Sequence, residues 1–300
     1  MLETLFDPSF FGSIPRFVTP ILLAALGGAV CERAGVFNIG LEGMMLTGAF
    51  FAVLGAWFTG SPYAGAFCAM LAGMALGAVF AEFNLRRGGD AIVVSIAINL
   101  LAAGITTFLL RAVFDVAGAF NDPAIAGFAP IHIPLVEDVP LLGRVLSGQS
   151  ILFYLSLLAV WALHVFFARH RLGLRIRAAG ENPAALKAGG VNPLSVQFAA
   201  LLICGALCGL AGAQLSISNV TLFVENMSAG RGWIAVVAVL LTRGRPWPVF
   251  FIALLFGMVD SLSFRVQGLG LAQQFTDMMP YLATLIVLTA LSWWRKRNAS

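Results

Sequence analysis

Apolar runs of bilayer-crossing length recur along this chain and leave little room for any other kind of fold. They fall at residues 14–31, 40–58, 63–83, 91–110, 151–168, 194–213, 233–242, 247–264 and 278–294. A hydrocarbon core about 30 Å thick asks for roughly 20 such residues per helix. All but 233–242 approach that length, and that run crosses only if the stretch from Val220 belongs to the same broken helix. The breaks between runs carry turn chemistry: Gly60-Ser61-Pro62, Gly88-Gly89-Asp90, Asn192-Pro193 and Gly244-Arg245-Pro246. Composition agrees. Hydrophobic residues are 60% of the 300 and charged residues 11%, against roughly 25% charged in an average soluble domain. A water-soluble fold of this size has no interior large enough for that much apolar surface. The expected fold is all-α: a polytopic transmembrane helical bundle of about 8–10 spans, one domain over residues 1–300.

Several function classes close at once. A net charge of +4 is spread too thinly for a nucleic-acid binder. Glu3 and Asp7 precede the first apolar run without a basic segment, so that run is not read as a cleaved signal. Cys31, Cys68, Cys204 and Cys208 all lie in apolar runs, and Cys204 and Cys208, four apart on a helix, read as small packing residues. With three histidines and no H-E-x-x-H or paired C-x-x-C, no metal site is expected, nor any other cofactor. An intramembrane protease lacks its G-x-S-G or G-x-G-D signature.

Orientation follows from Lys and Arg. With the first residue outside and nine alternating crossings, 13 of the 18 Lys and Arg residues fall inside. Arg16, Arg111, Arg144, Arg231 and Arg265 fall outside. Two connections are long. The outer one, 112–149, carries Asp115, Asp122, Glu137 and Asp138, and its prolines disfavour a long helix. A compact surface loop is expected there, either an acidic rim for a delivery partner or a solvated connector. The inner one, 169–192, is basic and holds a short helix with its ends written out. Asn182 caps it, Pro183 takes the first helical position, Glu181 and Lys187 suit its dipole, and Gly189-Gly190 stops it. At 1.5 Å per residue six residues span about 9 Å, too short to cross. It is either an incidental interfacial helix or a stiff lever for a soluble partner.

Polar residues within spans are costly and therefore informative. Asn38 and Glu42 share a helical face at the start of the second span, and Asn99 lies mid-span in the fourth. Asp260 lies near the outer end of the eighth, and Gln214, Asn219, Glu225, Asn226 and Arg231 bracket the broken seventh. Each admits a plainer role. Asn99 fits a helix–helix hydrogen bond as well as a pathway, and Glu42 fits a pair with Arg33 or a cap on its own helix. Glu82 suits an ion pair with Arg86 and Arg87. The stripes Gly65, Gly73, Gly77 and Gly205, Gly209, Gly212 suit close helix contact. The segments 38–43 and 226–232 resemble each other and open spans of opposite direction, the pattern of an inverted repeat with interrupted helices at its centre.

Gly180-Glu181-Asn182-Pro183, followed by small residues and Gly189-Gly190-Val191-Asn192, is similar to the coupling-helix loop of ABC importer permeases. The family is the one handling branched-chain amino acids, simple sugars and nucleosides. The run from Arg33-Ala34-Gly35-Val36-Phe37-Asn38 to Leu41-Glu42-Gly43-Met44-Met45 resembles its N-terminal signature. Phe223-Val224-Glu225-Asn226-Met227-Ser228-Ala229-Gly230-Arg231-Gly232-Trp233 and Pro280-Tyr281-Leu282-Ala283-Thr284-Leu285 resemble its nucleoside branch. Arg245-Pro246-Trp247-Pro248 departs from the gentler turn of that pattern. The resemblance implies a multi-pass permease subunit of the bacterial inner membrane, importing nucleosides or simple sugars, without catalysis of its own. The partners it implies are one or more ABC ATPase subunits, a second permease subunit and a substrate-binding lipoprotein. It places Gly180, Glu181, Asn182, Pro183, Leu186 and Lys187 against the ATPase, while the polar residues of the spans and their ends give Asn38, Glu42, Asn99, Glu225, Asn226 and Arg231, with Trp233, as the expected substrate pathway. Lys187 and Lys296 are the only lysines, and neither sits in a phosphate-binding loop, so the ATPase is expected on another polypeptide. The alternative reading is an ion-coupled secondary transporter of a small polar solute. It needs a mid-membrane carboxylate, whereas Glu42, Glu82 and Asp260 all lie toward span ends.

Overall fold

The structure, a computed structural model, describes residues 8–134 and 142–267, with helical positions at Met278, Met279, Leu282, Leu285 and Thr289. In chain order its elements are α1 (Pro8–Arg33), α2 (Leu41–Thr59), α3 (Pro62–Ala81), α4 (Ala91–Phe114), β1 (Ala119–Phe120), α5 (Leu142–Leu146) and α6 (Ile151–Arg169). They continue as α7 (Arg171–Glu181), α8 (Pro183–Ala188), α9 (Pro193–Ala213), β2 (Phe223–Val224), α10 (Arg231–Thr242) and α11 (Pro246–Gln267). Wider π turns extend α3 through Glu82–Arg86 and α9 through Gln214–Val220. Seven of these helices are long and apolar enough to cross a membrane. The expected ninth run, 278–294, lies outside the described residues apart from the positions named above.

α1 and α2 form the centre of the bundle. In their most apolar windows 89% and 78% of residues are buried, against 22% in α4. α1 carries Pro15 and Pro20 in its interior, and at Pro20 a side chain takes over the backbone bond lost there. Pro20 cannot donate to the Arg16 carbonyl, which accepts instead from Asn219 Nδ2 at 3.2 Å, while Thr19 Oγ1 adds a second donor to the Pro15 carbonyl at 2.6 Å. α1 ends at Gly35, in the left-handed region at φ +73°. Val36 N–H reaches back to the Cys31 carbonyl and Gly35 N–H to the Glu32 carbonyl.

The glycine stripes set the packing of α2, α3 and α9. A Cβ on Gly73 or Gly205 would run into the other's carbonyl, one on Gly209 into that of Ala69, and one on Gly48 into the Gly209 backbone at 2.5 Å. Without a hydrophobic drive between helices in lipid, such close backbone approach is what holds spans together. Cys204 and Cys208 serve the same purpose against α1: a Cβ on Gly27 would sit 2.8 Å from the Cys204 carbonyl and 3.3 Å from Cys208 Sγ.

Two expectations change. The 220–242 stretch is not one broken helix. Val220 ends the π turn of α9, a loop follows, and α10 alone runs for 12 residues, about 18 Å at 1.5 Å each, too short to cross. The inner connection holds two helices, since α7 precedes the expected α8. The outer connection is a compact loop where described. β1 pairs antiparallel with β2, Ile131 bridges Gln149, and Phe114 stacks on Phe120 at 3.8 Å beside Trp57. Its Glu137 and Asp138 lie outside the described residues.

Candidate functional site

The polar residues of the second span gather at a break in the bundle, where the N-termini of α2 and α10 meet. Glu42, in the first turn of α2, points its carboxylate at the open end of α10. Oε1 accepts from Gly230 N–H at 2.8 Å and Oε2 from Gly232 N–H at 2.6 Å. Two helix N-termini facing each other bring together two partial positive charges of about half a unit each, which one buried carboxylate neutralises. Neither sequence expectation for Glu42 anticipates this: it caps another helix, and Arg33 donates Nε to the Gly244 carbonyl at 3.1 Å instead. Gly232 is the requirement on the other side, because a Cβ there would lie 2.5 Å from Glu42 Cα. The mutual likeness of 38–43 and 226–232 thus corresponds to physical contact between the two segments.

α4 holds the segment leading into α2. Asn99 Nδ2 donates to the Ile39 carbonyl at 3.2 Å and Oδ1 accepts from Gly43 N–H at 2.8 Å. Ser95 Oγ accepts from Ile39 N–H at 3.0 Å. Asn38 Oδ1 accepts from Gly40 N–H at 2.8 Å, while its Nδ2 lies 3.6 Å from Cys204 Sγ. Asn99 therefore spends both polar atoms, and Asn38 its oxygen, on the backbone of the break.

The second-half residues divide. Arg231 Nε pairs with Asp260 Oδ2 at 3.1 Å, linking the start of α10 to α11, with both side chains largely buried. Trp233 lies on the outward face of α10, 42% exposed. Asn226 is exposed and left-handed at φ 58°, in a loop where Thr221, Ala229 and Gly230 share that conformation. Glu225 turns away from the break: its N–H donates to the Gly118 carbonyl at 2.8 Å and its Oε1 accepts from Gly118 N–H at 3.2 Å, pinning the outer loop. Gln214 joins the same outer side, accepting from Ser150 Oγ at 3.0 Å and donating to Asn219 Oδ1 at 2.9 Å. The residues that sequence reading missed at the break are Ser95 and Gly232, whose only signals were a hydroxyl on the buried face of a span and a glycine next to a charge.

The inner arm is built as two capped helices at an Asn-Pro corner. Asn182 ends α7, then caps α8 by accepting from Ala185 N–H at 3.0 Å, with Pro183 at the first helical position. Gly190 stops α8 at φ +78° and Val191 N–H returns to the Leu186 carbonyl. Glu181 closes the last turn of α7 and pairs with Arg177 Nη2 at 3.5 Å. Leu186 alone of α8 is half-buried, so Pro183, Ala184, Ala185, Lys187 and Ala188 form an exposed, small-residue surface. α7 buries Gly173, Ile176 and Ala179. Its Gly180 seats on the turn after α1, where a Cβ on Gly35 would be 2.9 Å from Gly180 Cα. Gln197 Nε2 fixes that turn through the Ala34 carbonyl at 3.1 Å.

Seven apolar helices of crossing length around a junction of two helix N-termini, with a capped helical arm at one end, define a polytopic membrane protein. The chain belongs to the family described as the branched-chain amino acid transport system permease component, whose model matches residues 11–288. Within it the chain is an ABC transporter permease of the nucleoside and sugar branch. It is 35% identical to a Haloferax volcanii protein assigned as a glucose ABC transporter permease, over 95% of this chain and 92% of that one. It is 33% identical to a guanosine ABC transporter permease of Bacillus subtilis and 32% identical to a nucleoside ABC transporter permease of Lactococcus lactis. Each of those matches covers 91% of this chain and 88% of the relative. A solved ABC transporter assigned to the metal-chelate type, facing inward, shares the fold at TM-score 0.54 and 16% identity, over 93% of this chain and 85% of that one.

Proposed function

We propose that this chain is the translocating subunit of an ATP-driven importer of nucleosides, or of simple sugars, in the inner membrane of a bacterium. In this reading an external lipoprotein delivers the solute, and a second permease subunit, identical or related, completes the pathway. Separate ATPase subunits dock on Gly180, Glu181, Asn182, Pro183, Leu186 and Lys187. The observation that carries the reading is the seating of the arm. α7 and α8 rest on the 33–35 turn through Gly180, and that turn leads within seven residues to Glu42 at the break. A displacement of α8 by a soluble motor moves a rigid, capped unit, so it is delivered to the contact between α2 and α10. Relatives assigned to guanosine, nucleosides and glucose support the solute class.

At the break, Glu42, Asn38 and Asn99 hold the starts of α2 and α10 in register, while Asn226 and Trp233 offer exposed groups that a polar, planar solute meets beside the Arg231–Asp260 pair. Weak contacts suit a pathway whose specificity comes from delivery. Cells carrying the complete transporter should accumulate radiolabelled nucleosides in competition with unlabelled ones, and lose this when the chain is deleted. Accumulation of neither nucleosides nor simple sugars would reject the solute class.

A further inference from the structure

Where the inner ends of α1, α6 and α11 meet α7 there is an open cavity of about 330 Å³, lined among others by Arg33, His164, Phe167, Arg177, Arg245 and Trp247. Three guanidiniums from three elements converge there. Arg177 and Arg245 act on Arg33 as like charges, countered by Glu181 and Glu32. Glu181 is mostly exposed and pairs with Arg177 Nη2 from outside, and Glu32 lines a separate, smaller cavity. Arg245 has no ion pair among the described residues. Arg177 Nε is buried without a hydrogen-bond partner, an arrangement that costs desolvation unless an acceptor arrives. Arg33 is immobilised by the Gly244 carbonyl and by the Phe167 ring 6.0 Å beneath it. The site is therefore a preformed cluster of three cations, one of which carries a buried N–H without an acceptor.

The walls identify the kind of anion. Trp247 is 44% exposed and Phe167 and Pro248 are apolar. His164 lies five residues before the end of α6, about 7.5 Å into the membrane side at 1.5 Å per residue. A free anion gains nothing from an apolar, membrane-facing wall, whereas a phosphodiester attached to acyl chains uses both halves. Basic pockets between spans on the inner side are sites for such headgroups. We propose that this cavity binds the phosphate of an anionic phospholipid, clamping α7, and with it the coupling arm, to α1 and α11. This goes beyond the import reading and does not depend on it, since binding is measured on the chain alone.

The test uses the purified full chain in detergent, with lipid retention read by native mass spectrometry for phosphatidylglycerol against phosphatidylcholine. The protein should retain phosphatidylglycerol preferentially. Arg177→Gln and Arg245→Gln should each weaken retention about fivefold, the effect of roughly 1 kcal/mol per cation at a membrane surface. The paired Lys substitutions should keep most of it, and Arg171→Gln, on the same side but outside the cavity lining, should change nothing. On the unsubstituted protein, photo-crosslinkable phosphatidylglycerol should label the peptides carrying His164 and Trp247. Equal retention of both lipids, labelling only elsewhere, or full retention by the double Gln variant would overturn the proposal. Displacement of the lipid by millimolar inorganic phosphate would overturn its lipid source, assigning the site to an anion from water.

Discussion

Glu42 and Gly232 are the residues on which the centre of the protein turns. Glu42→Gln keeps one acceptor but replaces the other with an amide that confronts a backbone N–H. The expected loss is about 2–3 kcal/mol, the scale of a charge-assisted bond replaced by a buried mismatch. Gly232→Ala places a methyl group against Glu42 Cα and should cost about 1–3 kcal/mol by overpacking. Both variants should lower the thermal midpoint of the purified chain, whereas Glu225→Gln, at the outer loop, should barely move it. Equal stability in all three would remove Glu42 from the centre. The sequence exposed Glu42 as a carboxylate too costly to be idle, but its partner was illegible. The acceptor geometry belongs to backbone N–H groups 188 and 190 positions away, and backbone donors carry no residue code. Asn99 was equally visible and equally ambiguous, since an amide in a span looks the same whether it contacts solute or the Ile39 carbonyl.

Among the elements, α8 was legible to its last residue because its signals are local: a capping amide, a proline at the first turn and a terminal glycine pair. α7 was not. Its two glycines, Gly173 and Gly180, each weaken a helix of 11 residues by about 1 kcal/mol and so masked it. It forms because Gly173 and Gly180 are the points where it closes on Phe166 and on the Arg33–Gly35 turn, contacts that only glycine permits. The split of the seventh run was hidden for a related reason. Four left-handed residues between Thr221 and Gly230 make the turn, and three of them are not glycine. The proposed role of the arm makes a sharp demand at this scale. Asn182→Ala removes a cap worth about 1 kcal/mol from a helix too short to stand alone. Uptake in cells should fall about fivefold or more, with the quantity of inserted protein unchanged. Undiminished uptake would mean that α8 bears no load.

The whole molecule is a set of spans joined by close glycine contacts around α1 and α2, with a break at its centre and an arm at one end. Its class was readable from hydropathy because the bilayer imposes span length on any sequence that crosses it. Which spans touch was foreshadowed only by the stripes of Gly65, Gly73, Gly77, Gly205, Gly209 and Gly212. Moving a solute uphill requires a free-energy source coupled to alternating exposure of the pathway. No phosphate-binding loop occurs in this sequence. The side-chain oxygens of Asn38, Glu42 and Asn99 are committed to backbone N–H groups, and Arg231 and Asp260 neutralise each other. An ion gradient would need one of these groups to exchange its partner for an ion, breaking the helix contact at the break each cycle. A push through the 33–35 turn needs no such exchange. The protein alone in sealed vesicles, with a nucleoside outside and either a proton or a sodium gradient imposed, should therefore equilibrate the solute at most and never concentrate it. Adding the ATPase subunits, the binding protein and ATP should produce accumulation. Concentration driven by a gradient in their absence would make the break an ion site and the arm an ornament.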